Sequence, residues 1–298
     1  MEIADEKGLV FMEAMRSAFI PAFGLIGENL NKLGTIRRVS LQYAKYSSRY
    51  DKFRAGVVEN AFDPRFSNGA LMDIGVYCVH MLVKLFGRPE RVTADAVFLE
   101  NGVDGAGTIL ASYKGMQAEL LYSKITTNRC PCQIQGEEAT MVIEGDLTNP
   151  SRIVIWHRNG EEEILVPEGR EDTMLPEVRE WLRLMAGGET AAAHNQYSLM
   201  EMEVMDEARR QMGIVYPADR EELWKRGADG IAGPGAGRRE YRAGVPGGRP
   251  APLQPLQVKG RRVLLLGAAL FLHEAVGEAQ GNGLVHYLVV LVGGDTAV

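Results

Sequence analysis

The spacing of apolar positions changes several times along the chain, and each change predicts an element. Residues 1–7 read as the end of a helix stopped by Gly8, and 9–12 as a short buried strand. Residues 19–33 repeat at helical spacing up to Gly34. From Ile36 the period drops to two: Val39, Leu41 and Tyr43 alternate with Ser40, Gln42 and Ala44, which predicts a strand with one buried face. The stretch 46–68, YSSRYDKFRAGVVENAFDPRFSN, has no period. Irregular loops longer than about fifteen residues are uncommon unless they serve a function.

A helix is expected over 69–86, ending at Gly87 with Pro89 just beyond. Ile74, Cys78, Met81, Leu82 and Leu85 form its apolar stripe, while Asp73, Tyr77, His80 and Lys84 recur on a second, polar face. Short strands follow at 92–98, 108–113, 116–122, 133–135, 140–143, 152–156 and 163–166. Lys114-Gly115 and Asn159-Gly160 read as hairpin turns, the second as a type I′ turn with two positive φ angles. Hairpins make the sheet antiparallel. Two more helices are expected: one carries Leu175, Val178, Leu182 and Met185 and stops at Gly187. The other carries Tyr197, Met200, Val204, Ala208 and Met212, with Ser198 and Glu201 as a capping box at its start. The fold class is therefore α+β: a large open, mainly antiparallel sheet with helices on one face.

Three blocks emerge. Residues 1–15 begin in mid-element and read as the remnant of a preceding domain, and 16–226 form the α+β body. Residues 227–298 look disordered or non-native: their first part is dense in Gly, Pro and Arg and too poor in periodic apolar positions to offset chain entropy. A frame error or a fusion at the gene's 3′ end would produce such a tail.

Composition narrows the function. Among 298 residues, 46% are hydrophobic and 24% charged, the profile of a globular protein. A net charge of −6 argues against nucleic acid or an anionic membrane as partner. No signal segment and no apolar run of spanning length are expected, and three cysteines form no disulfide framework, so a cytoplasmic location is the reading. Cys130-Pro-Cys132 lacks the spacing of a zinc pair and reads as edge-strand cysteines. Gly233-Pro-Gly235-Ala-Gly237 imitates a dinucleotide fingerprint but follows no strand.

The densest chemistry is SNGALMDIGVYCVH at 67–80. A phenol or imidazole can pass a proton to a substrate oxygen, and a carboxylate can bind hydroxyls. The same residues also suit packing: an acid is favoured in a first helical turn, and Tyr77 and His80 are readable as a half-buried aromatic and a hydrogen-bonded core histidine. In the loop, Arg49, Tyr50, Arg54, Asn60 and Arg65 offer donors to a polyol or acidic sugar, or a solvated or dimer-contact surface, with Arg49 foremost.

GLVFMEAM at 8–15, the helix at Pro21, GTIRRV at 34–39, NGALMDIGVYCVH at 68–80, FGRPERV at 86–92, IQGEEATMVIEG at 134–145 and GIVYPAD at 213–219 resemble the Gfo/Idh/MocA oxidoreductases. The resemblance implies an N-terminal Rossmann domain, here reduced to residues 1–15, and a C-terminal domain whose open sheet makes a homo-oligomer. It implies NAD or NADP as cofactor and a sugar, inositol or related cyclic alcohol as substrate. By that resemblance Tyr77 would be the proton donor or acceptor and Asp73 its carboxylate partner. Apart from the resemblance, Arg49 and His80 are the expected substrate contacts and Glu13 an expected contact to the cofactor. The family's Glu-Lys-Pro lysine and Gly-rich phosphate loop have no counterpart, so the chain by itself is expected to be inactive. The rival expectation is a non-catalytic binding or oligomerisation module.

Overall fold

A computed structural model of the chain describes residues 1–170 and 172–219, together with the short strands Leu256–Val258 and Arg261–Val263. Eight strands form one sheet: β1 Ile36–Ala44, β2 Arg91–Phe98, β3 Asp104–Tyr113, β4 Met116–Ser123, β5 Cys132–Gly136, β6 Ala139–Asp146, β7 Asn149–His157 and β8 Glu162–Leu165. Their order is β2-β3-β4-β1-β5-β6-β7-β8. Every neighbouring pair is antiparallel except β1 and β4, which run parallel with Leu41 opposite Leu120. The helices are α1 Glu2–Glu6, α2 Pro21–Glu28, α3 Ser48–Arg54, α4 Val76–Phe86, α5 Leu175–Gly187 and α6 Ala192–Met212. The expected α+β class and mainly antiparallel sheet are what the structure shows.

Alternation decides which face is covered. On β1, β3 and β4 the inward side chains Val39, Leu41, Ile109, Ala111, Ala118 and Leu120 are fully buried. They meet the apolar stripe of α4, Cys78 and Leu82 included, in one core. Truncating such a residue to Ala typically costs about 2–5 kcal/mol. The intervening residues face away, so Leu110, Leu121, Trp156 and Ile164 are exposed on the opposite face. The helix approaches the sheet closely because Gly75 lies over the Tyr122 ring: a Cβ there would stand 3.0 Å from its Cγ.

Several expectations are corrected. Residues 9–12 form no strand, because side chains rather than a second strand serve their backbone: the Phe11 carbonyl accepts from Asn195 Nδ2 at 2.9 Å. The loop 46–68 contains α3, capped by Ser47, whose hydroxyl accepts from Arg49 N at 3.3 Å. The Asn159-Gly160 turn is not type I′, since only Gly160 has positive φ and the Asn159 side chain instead accepts from Glu161 N at 3.0 Å. Gly188, not Gly187, caps α5 in the left-handed conformation. Cys132 opens β5, an interior strand, and is not at an edge. Ser198 and Glu201 cap nothing, for α6 begins at Ala192 and both are buried in its middle. Of the tail at 227–298, only the strands Leu256–Val258 (β9) and Arg261–Val263 (β10) are described. They pair antiparallel. The remainder of that tail, with the glycines at 233–237, lies outside the described residues.

Candidate active site

The polar face of the expected helix is divided among three surroundings. A π turn, Leu71–Gly75, precedes α4 and breaks the even spacing on which that single face rests. Its start is held from the sheet: Asp104 at the head of β3 accepts from Leu71 N at 2.7 Å. Burial pushes this carboxyl up to about 6, against the lowering pull of its hydrogen bonds and of Lys124.

Asp73, inside the π turn, meets Lys124 from the end of β4, with Nζ to Oδ2 at 2.5 Å. Both side chains are buried. The ammonium also donates to the Ala61 carbonyl at 2.6 Å and stands 4.7 Å above the Phe62 ring. Lys124 escapes sequence reasoning because it follows a strand as one of many lysines, with no spacing to mark it.

Tyr77 opens into a different environment. Its ring packs edge-on against Tyr43, with centroids 5.6 Å apart. The Arg16 guanidinium lies 5.5 Å from the ring centre. Two threonines fix that guanidinium: Nη1 donates to Thr173 at 3.0 Å and Nη2 to Thr148 at 3.0 Å. Burial raises the phenol above its ordinary value, and Arg16 opposes that rise. Glu177 at the start of α5 adds a second proton-carrying group, pushed by burial to about 7 despite Arg16. Beside Tyr77 a small hollow is lined by Ser17, Ile20, Phe23, Ile26 and Met81. Arg16 lies within the GLVFMEAM-Arg segment, so only its adjacency to a resembling motif could have drawn notice.

His80 points elsewhere again. Its Nδ1 is 2.6 Å from Oε2 of Glu201 on α6. Burial lowers the imidazole to about 3, with Lys84 adding to the shift, and raises the Glu201 carboxyl. Glu13 completes this cluster, with a ligand-type atom within 4.8 Å of one on each of the other two, and its own carboxyl is also raised by burial. Arg49 stays within its loop, 3.6 Å from Glu59. Tyr50 joins Phe53 and Phe62 in an aromatic cluster, and Arg65 folds back on Asp63. The structure thus joins Asp73 to Lys124, Tyr77 to Arg16, and His80 to Glu13 and Glu201.

A profile of the GFO/IDH/MocA C-terminal domain matches residues 30–142. The scyllo-inositol 2-dehydrogenase (NADP(+)) IolU of Bacillus subtilis is 46% identical over 219 residues, covering 72% of this chain and 66% of that protein. The uncharacterized oxidoreductase YgjR of Escherichia coli is 34% identical over 220 residues, covering 74% and 67%. Mouse trans-1,2-dihydrobenzene-1,2-diol dehydrogenase is 29% identical, covering 73% and 66%. The chain thus spans about two thirds of the length of the curated relatives it matches. Among solved structures, KijD10, a 3-ketoreductase from Actinomadura kijaniata with NADP and TDP-benzene, superposes with a TM-score of 0.60 at 20% identity, over 71% of this chain and 65% of that one. That likeness concerns the fold.

Proposed function

Because the chain belongs to the GFO/IDH/MocA family, we propose that its described domain is the substrate side of an NAD(P)-dependent oxidoreductase acting on a carbinol group of a cyclic polyol. The observation that carries this reading is the Tyr77 phenol held against a pinned guanidinium. The named relatives supply the substrate class: inositol for one and a cyclic dihydrodiol for others.

Tyr77 passes the hydroxyl proton. A phenol ionises near 10 in water and higher when buried, so it needs a cation to act near neutral pH. Arg16 is that cation within this chain, and its two threonine contacts keep it from turning away. Asp73 orients the substrate or braces the π turn, and Glu177 is a reservoir for the proton that Tyr77 gains. The sheet described here has no strand, glycine-rich turn and helix in series to take a nucleotide's phosphates. The described residues therefore do not fit a cofactor cradle, and no hydride step is derived. Glu13, expected at the cofactor, has Ser198, His80 and Glu201 as its neighbours, a surrounding that favours a different task.

The test is steady-state kinetics of the domain joined to a nucleotide-binding domain of the family, with inositol as substrate. Tyr77→Phe is expected to lower kcat by about 10²- to 10⁴-fold while the thermal midpoint stays close to the parent's. Arg16→Met removes a group that lowers the phenol, so its rate profile is expected to move to higher pH. Retention of most activity by Tyr77→Phe, with chemistry rate-limiting, would return the domain to the rival reading of a binding or assembly module.

We also propose self-association through the open sheet face, where Trp156 and Ile164 are 49% and 47% exposed. Light scattering at tens of micromolar is expected to give at least a dimer mass, lowered by Trp156→Glu. No described helix is long and apolar enough to cross a membrane.

A further inference from the structure

We propose that Glu13, His80 and Glu201 bind one divalent transition-metal ion of the zinc class. The three residues come from separate parts of the chain: the segment before α2, the middle of α4 and the middle of α6. One ligand-type atom from each lies within 4.8 Å of the other two. Glu201 is 0% exposed and His80 4%. Glu13 is partly exposed, which leaves the cluster a way in from solvent.

Each residue has a buried polar atom without a hydrogen-bond partner: Glu13 Oε2, His80 Nε2 and Glu201 Oε1. Packed interiors rarely strand such atoms, and the three residues that do so here are neighbours. His80 Nδ1 already contacts Glu201 Oε2 at 2.6 Å. Glu201 therefore stands on the Nδ1 side of the ring, and the nitrogen that can share an ion with it is Nδ1, the ion taking the place of the proton between them.

Nδ1 and the two carboxylates are then all acceptors. A water has two hydrogens and cannot satisfy three acceptors. A cation can take the Nδ1 lone pair and one oxygen of each carboxylate. On binding, the two carboxyls give up any protons they hold, and their two negative charges are balanced by one divalent ion. Lys84, a cation whose charge acts on His80, is committed to the Ala18 carbonyl at 3.3 Å and to the rings of Phe19, Phe23 and Tyr197.

The donor set selects the ion. An imidazole nitrogen with two carboxylate oxygens suits zinc, cobalt or manganese rather than calcium, which takes oxygens alone. Bonds of about 2.0–2.2 Å place tetrahedral ligands about 3.3–3.6 Å apart, so the cluster closes slightly on the ion. Glu13 is the arm that moves, since its segment belongs to no strand and is tied down by side chains of α5 and α6. The ion pins that segment to α4 one turn beyond Tyr77. It is a site separate from Tyr77, and its test does not depend on how Tyr77 is read.

The test uses the full chain without a metal-binding tag, stripped with chelator and titrated with Co²⁺. The expected result is a saturable visible d–d band at about one ion per chain, abolished by added Zn²⁺, with a higher thermal midpoint in the presence of metal. Elemental analysis after growth with zinc is expected to give about one zinc per chain. Glu13→Gln, at a partly exposed position, keeps the fold by circular dichroism and weakens Co²⁺ binding at least tenfold. His80→Gln does the same where it folds. A Cys130→Ser control is expected to leave the band unchanged. The proposal is overturned by a stripped chain that shows no saturable band and no bound zinc. It is equally overturned by a band that survives Glu13→Gln undiminished, which would place the metal elsewhere.

Discussion

Two buried polar clusters flank Tyr77 on the same helical segment, and they are built on opposite terms. On one side Asp73 and Lys124 satisfy each other at 2.5 Å, with the Ala61 carbonyl and the Phe62 ring taking the rest of the ammonium. On the other side Glu13, His80 and Glu201 leave one buried atom each without a partner. Burial alone therefore does not distinguish a brace from a binding site. What distinguishes them is whether the donors and acceptors balance. Lys124 brings donors to a carboxylate, whereas the second cluster gathers two carboxyls beside an imidazole. The first cluster holds the π turn in place, and the second has capacity left for a ligand.

Breaking the balanced cluster is expected to have the largest effect. Lys124→Met leaves the Asp73 carboxylate buried without its ion partner. Loss of one member of a buried pair typically costs about 3–5 kcal/mol. Urea denaturation followed by circular dichroism is expected to show that loss. The double variant Lys124→Met with Asp73→Asn is expected to recover part of it, because no unpaired charge remains. Equal stability of the single variant and the parent would mean that the pair braces nothing and that the contrast between the clusters is false.

The contrast was only half legible in the sequence. The alternation of Val39, Leu41 and Tyr43 and the stripe through Cys78 and Leu82 predict the sheet and its covering helix, because burial imposes those periods directly. The positions of Asp73, Tyr77 and His80 on one segment were equally plain. Their separation was not, since it depends on a π turn that no residue spacing announces and on partners distant in sequence. Lys124 is 51 residues from Asp73, and Glu201 is 121 from His80. Ser198 and Glu201 were misread as a capping box because that motif is a short pattern, and α6 starts at Ala192 without any side-chain cap. Arg16 lay beside a recognisable stretch but had no periodicity of its own.

A smaller effect, and one that sharpens the comparison, comes from Asp104. This carboxyl anchors the π turn, and burial raises it to about 6 from an ordinary value of 3.8. A carboxyl raised on folding favours the folded state while protonated. Its contribution is fully present below about pH 4 and is lost as pH rises through about 6. A shift of roughly two units corresponds to about 3 kcal/mol at most, at 1.36 kcal/mol per unit. Asp104→Asn keeps an oxygen for Leu71 N and removes the titration. The stability of the parent relative to Asp104→Asn is expected to fall between pH 4 and pH 7. A constant difference across that range would show that the carboxyl is not strained by burial, and the balanced side of α4 would owe its order to Asp73 and Lys124 alone.

The smallest effect is a rate, and it reads both clusters through one atom. Cys78 lies on α4 between Asp73 and His80 and is fully buried. Burial raises its thiol well above the usual range, and raises Cys132 to about 11. Cys130 is exposed. Thiolates react and thiols do not, so native protein treated with a disulfide reagent is expected to release one equivalent quickly, from Cys130, and two slowly. The slow phase at Cys78 requires α4 to lift from the sheet, so its rate follows the free energy of local opening. Mass spectrometry of the labelled peptides separates Cys78 from Cys132. Lys124→Met removes a partner that the helix needs and is expected to accelerate Cys78 labelling severalfold or more. Glu13→Gln, which alters a cluster already lacking partners, is expected to change it by less than twofold in stripped protein. Added Zn²⁺ is expected to slow Cys78 in the parent and not in Glu13→Gln, because an ion bound at His80 ties α4 to α6 and to the N-terminal segment. Equal acceleration by the two substitutions would show both clusters to be braces of the same kind.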